Sequence, residues 1–100
     1  MTKYFNSSSV QIITLIAIGR SSLGKSISQV LITNYDSSDN CEVQLYIEKA
    51  DATKRYIYNT VIPKETSLIL DNKKTLQFDS TKYALKLRTF SDADLSIIIT

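Results

Sequence analysis

The chain has 100 residues, 43% apolar and 22% charged, with a formal charge of +2, the size and mix of one packed globular domain. It has no histidine, no tryptophan and one cysteine, which excludes His/Cys metal clusters, Ser-His-Asp triads, Cys–His dyads and an intrachain disulfide. The basic residues are scattered, with Lys54-Arg55 and Lys73-Lys74 the adjacent pairs, so no concentrated basic surface for nucleic acid is expected.

Residues 1–9, MTKYFNSSS, read as an N-terminal arm, flexible or ordered by a partner, ahead of one domain over residues 10–100. The arm lacks the apolar core of a signal peptide. Asn6-Ser7-Ser8 fits a glycosylation acceptor, which carries weight only in a secreted chain. Val10–Ile18 is a strand apolar on both faces, too short and too polar for a membrane span.

The next segment offers the sharpest chemical signal. Gly19-Arg20-Ser21-Ser22-Leu23-Gly24-Lys25-Ser26 matches the phosphate-binding pattern G-x-x-x-x-G-K-[ST]. In such a loop, backbone amides cradle phosphate, the lysine reaches the β- and γ-phosphates, and the hydroxyl binds Mg²⁺. Ser67-Leu68-Ile69-Leu70-Asp71 imitates the acid-bearing partner strand. Three points oppose the match. Residues after Ser26 are β-branched and strand-favouring, although Ile27, Val30 and Leu31 also suit a helix face. Residues 36–100 hold closely spaced alternating segments rather than βαβ units, each of which takes ~30 residues. A parallel sheet covered on both faces does not fit so short a chain. The favoured reading is a polar loop in which Gly19 and Gly24 supply turn geometry.

Beyond the loop the period is two. Val30 and Ile32 against Leu31 and Thr33 give a strand with two largely apolar faces, suited to a central place. Cys41, Val43, Leu45 and Ile47 alternate with Glu42, Gln44, Tyr46 and Glu48. Arg55–Val61, Ser67–Leu70 and Thr75–Phe78 are weaker strands, and Pro63 marks a boundary or an edge. Tyr83, Leu85 and Leu87 form a half-buried strand, and Leu95, Ile97 and Ile99 the last, with Ile98 apolar on its other face. With two glycines and one proline in the chain, turns fall to Asn, Asp and Ser clusters such as 36–40, 71–74, 79–82 and 91–94. No segment reads best as a helix. The expectation is all-β, a seven- to eight-stranded antiparallel β-sandwich, Ig-like or jelly-roll-like.

Site candidates are few. Asp92 and Asp94, with Asp71 or Asp79, have the oxygen chemistry for Ca²⁺ but lack the acid spacing and glycine of a calcium loop. No cofactor or metal is assigned. Tyr46, Tyr56 and Tyr58 share an outer face with Lys54 and Arg55 in this reading, as a protein or carbohydrate contact or as ordinary cross-strand pairs. Cys41 reads as a core residue. A strand apolar on both faces is an aggregation hazard unless covered, so a neighbouring subunit is expected over the last strand or its edge, at Ile98 and Thr100.

One resemblance gathers these features. Thr33-Asn34 ends a strand and leads through a Ser/Asp turn to Val43, Leu45 and Tyr46; Ile62-Pro63 and Ser67-Leu68 with Leu70 follow, and a strand closes the domain. Over residues 10–100 this resembles small virion structural proteins of tailed bacteriophages, of the marine-phage type. The resemblance implies a non-enzymatic β-sandwich in a virion, capsid-decorating or tail- or neck-associated. Its implied partners are other virion subunits and copies of itself, with no nucleic acid or membrane. The alternatives are a nucleotide-binding protein using Gly19, Gly24, Lys25 and Ser26, and a carbohydrate-binding module.

Overall fold

A computed structural model describes residues 2–19, 27–72 and 76–100. Their regular elements are eight strands: β1 (Lys3–Ser7), β2 (Ile12–Ile16), β3 (Val30–Asn34), β4 (Cys41–Lys49), β5 (Lys54–Ile62), β6 (Thr66–Leu70), β7 (Tyr83–Thr89) and β8 (Leu95–Ile99). They form two four-stranded sheets, the first in the order β1-β8-β3-β6 and the second in the order β2-β7-β4-β5. Every pairing is antiparallel. The pairs β1–β8, β2–β7, β3–β6 and β4–β5 nest inside one another, as if one long hairpin had been rolled up. Of the two sandwich types open to the sequence, this is the jelly roll.

The alternation seen in the sequence produces the core. Val30, Ile32, Leu95, Ile97 and Ile99 of the first sheet meet Val43, Leu45, Leu85 and Leu87 of the second in one buried cluster, joined by Cys41. Turn chemistry follows the polar clusters. The Asp36 carboxylate accepts from the Ser38 and Asp39 amides at 3.0 and 2.8 Å, and these two bonds, with the Ser38 hydroxyl, hold its pKa below the ordinary value. Asp51 accepts from the Thr53 amide at 3.1 Å in the β4–β5 turn, where Ala52 takes a left-handed φ of 71°.

Three expectations are corrected. Residues 3–7 are not a loose arm: β1 pairs with β8 from Lys3↔Ile99 to Ser7↔Leu95, because Phe5 packs on the core while Tyr4 and Asn6 face out. As a result the last strand has no open edge. β8 lies between β1 and β3, so the chain itself covers the edge expected to need a partner, and what remains is its outer face. The segment around Leu76–Phe78 is not a strand. Leu76 and Phe78 are buried, and the Leu76 amide bonds back to the Asn72 carbonyl at 3.1 Å, so two alternating apolar side chains plug the core from a connection. Thr75 lies outside the described residues.

Candidate functional site

Each sheet has one face on the core and one facing solvent, and the two solvent faces differ. On the second sheet, Lys86 and Lys54 place their ammonium groups 2.5 and 3.3 Å from the Glu48 carboxylate. The guanidinium of Arg88 lies 4.7 Å from the Phe90 ring. Lys86, and then Lys54, hold the Glu48 carboxyl below its ordinary pKa. A depressed folded-state pKa supplies stability above the usual carboxylate range that is lost as pH falls through the folded value. Glu48→Gln is therefore expected to lose less stability between pH 7 and pH 3 than the parent chain, by urea unfolding at both values. Equal losses would refute this account of the cluster.

The solvent face of the first sheet carries no such charges in its middle. Register fixes its rows: Tyr4 pairs with Ile98, Ile98 with Leu31, and Leu31 with Ile69. All four point away from the core, because their neighbours Phe5, Ile97, Ile32 and Leu68 point into it. An apolar row thus crosses all four strands, with its ends most open, Tyr4 at 74% and Ile69 at 56%. The next row is Asn6, Ser96, Thr33 and Ser67, in which the Thr33 and Ser67 hydroxyls lie 2.9 Å apart. Neither row contains a charged residue. Thr100 extends the β8–β3 ladder through paired bonds with Gln29 at 3.0 and 3.1 Å. An uncharged centre with an apolar row is the composition of an interface core.

The sequence candidates fall unevenly on this geometry. Ile98 sits in the middle of the apolar row, and Thr100 lies two residues further along the same strand direction. Of the three tyrosines, Tyr46 and Tyr56 are cross-strand partners on one face, and Tyr58 is separated from them. Tyr46, at 2% exposure, is covered by its neighbours, its ring 5.6 Å from that of Tyr56, and offers little surface of its own. A register shift between Leu45 and Tyr46 pairs Tyr46 with Tyr56 but Leu45 with Tyr58, and one extra residue in β5 sends Tyr56 and Tyr58 to opposite faces. Tyr58 instead lines a recess of about 200 Å³ with Ile57, Ile69 and Asp71.

Gly24, Lys25 and Ser26 lie outside the described residues. Gly19 has a φ of 91°, matching its turn role, but its amide donates to the Ser80 carbonyl at 2.8 Å and is not offered to a ligand. Residues 27–29 are not helical and lead into β3, with the Ser28 amide bonded to the Thr100 carbonyl at 2.7 Å. A phosphate loop needs a helix there, aimed at the anion. Among the described residues no group of three His, Cys, Asp or Glu side chains could hold a metal; Asp92 accepts from the Val10 amide at 3.3 Å, and the Asp94 amide donates to Asp36 at 3.3 Å. No helix is long and apolar enough to cross a membrane among the described residues.

Sequence reasoning missed Tyr4, Leu31 and Ile69 as surface residues of one row. The available signal was the doubly apolar character of residues 30–33 and 95–99, which marks a strand with something to cover on each side.

No protein family profile matches the chain, and no curated protein does. Among solved structures, the Anabaena sensory rhodopsin transducer is similar in fold, with a TM-score of 0.57, 15% identity, and coverage of 94% of this chain and 96% of that one. At that identity the likeness concerns the sandwich and nothing finer.

Proposed function

We propose that the chain is a non-enzymatic structural module that works by docking, through the outer face of the β1-β8-β3-β6 sheet, onto other subunits of a tailed-phage virion. The observation that carries the docking is the apolar row Tyr4–Ile98–Leu31–Ile69 beside an uncharged polar row, on a sandwich whose opposite face carries the Glu48 ion pairs and Arg88. The virion setting rests on the residue pattern from Thr33-Asn34 to the last strand. A jelly roll is also an architecture of capsid proteins, which is compatible with that setting as analogy and does not by itself assign a function. Less supports the alternatives: no helix follows residue 26 for a nucleotide site, and Tyr58 is separated from Tyr46 and Tyr56 on β5.

The test is physical presence in a particle. Antibodies against the folded chain should label purified intact virions in immunogold electron microscopy at regular positions. Absence of the chain from particles, by labelling and by mass spectrometry of their subunits, would overturn the reading.

A further inference from the structure

We propose that the outer face of the first sheet is covered by a second copy of this chain, stacked face to face about a two-fold axis parallel to the strands and passing between β8 and β3. The inference names the partner of the docking surface described above and rests on that reading.

Charge is the first reason. The two central rows carry none, so two copies can meet without repulsion and without stranding an unpaired ion. A charged partner surface would lose its hydration on this face and gain no counter-charge.

The second reason is the order of side chains along the rows. Rotation about an axis parallel to the strands keeps each row over itself but reverses its direction. Ile98 then meets the partner's Leu31, and Tyr4 meets the partner's Ile69. The two most exposed apolar residues of the row therefore cover each other, at both ends of the contact. The polar row falls over itself in the same way, Ser96 facing the partner's Thr33 and Asn6 the partner's Ser67. Hydroxyls and carboxamides both donate and accept, so such a row needs no separate complement.

Area is the third. The molecule extends 38 × 26 × 18 Å along its principal axes, and the short axis is the two-layer thickness, two sheets lying ~10 Å apart. Each broad face then offers on the order of 1,000 Å², against roughly 800 Å² that each partner gives to a standard stable interface. One isologous contact is enough for a dimer.

The experiment uses the full chain with one thiol introduced at a time. Tyr4→Cys and Ile69→Cys proteins are treated with a short bismaleimide separately and mixed; native Cys41 is fully buried, and the parent chain serves as its control. Cross-linked dimer is expected in the mixture and not in either protein by itself, because identical positions lie three strand spacings apart across the axis, roughly 14 Å. Efficient cross-linking of either variant with itself would overturn the proposed axis. Sedimentation velocity supplies the second readout. The parent chain should approach twice 11.3 kDa as concentration rises, and Ile98→Asp, with unchanged circular dichroism, should weaken association at least tenfold. A parent chain that stays monomeric at every concentration overturns the second-copy inference. It leaves the virion reading to be decided by particle labelling, where this face would meet a different subunit.

Discussion

Ile97→Ala is expected to lower unfolding stability by about 2–5 kcal/mol, the range for truncating a fully buried branched side chain to alanine. Ile97 is completely buried on an interior strand, with Phe5 beside it on β1 and Ile32 beside it on β3. Neither neighbour can close the gap, because each is held in register by its own ladder. A 100-residue domain has ~5–15 kcal/mol in total, and each kcal/mol shifts its melting temperature by roughly 4–8 °C. The change should show as a lower urea midpoint with an unchanged slope. Ile98→Ala, one residue on and facing out, is expected to cost under ~1 kcal/mol to the monomer. The contrast between adjacent isoleucines tests the in–out assignment on which both the core and the docking row depend. Equal costs at the two positions would mean that β8 is not placed as described.

Much of this was legible because side-chain alternation is local. Residues 41–48, 83–88 and 95–99 show their inner and outer sets directly, and the observed strands follow them. Three things were not legible, each for a reason that lies outside any single segment. The pairing of Lys3–Ser7 with Leu95–Ile99 spans nearly the whole chain, and a five-residue strand with two serine-sized or amide positions gives little pattern of its own. The register shift that separates Tyr56 from Tyr58 depends on which residue of β5 stands unpaired, and no residue type announces that. The apolar row is composed of one residue from each of four strands, so it exists only once strand order and register are fixed. Ile98 could be picked out in the sequence because its own strand is apolar on both sides, whereas Tyr4 and Ile69 acquire their meaning from neighbours distant in the chain.

Asn34→Leu is expected to cost about 2–4 kcal/mol although the two side chains are nearly the same size, because the loss is of satisfied polar groups rather than of volume. Asn34 is fully buried at the end of β3. Its amide nitrogen donates to the Ile62 carbonyl at 3.0 Å and to the Asp39 carbonyl at 2.9 Å, while its oxygen accepts from the Asp36 amide at 3.0 Å. One side chain thereby ties the last residue of β3 in the first sheet to the last residue of β5 in the second, and it organises the loop between β3 and β4. Leucine would remove that donor from the Ile62 carbonyl and break the side-chain link between the two sheets. Asn34→Asp separates hydrogen bonding from shape. The introduced carboxylate keeps the Asp36 amide on one oxygen but sets its other oxygen against two carbonyls, so burial beside them raises its folded-state pKa, and the proton it takes up restores one donor. Folding of this variant then binds a proton, and its deficit relative to the parent should shrink as pH falls from 7 towards 4. The paired carboxyls Asp36 and Glu48 act with the opposite sign, since both have lowered values in the folded chain and their contribution fades on acidification. Urea unfolding of parent and variant across that range distinguishes the two. A deficit independent of pH would mean that Asn34 works by packing, and that the two sheets are held at this corner by something other than its amide.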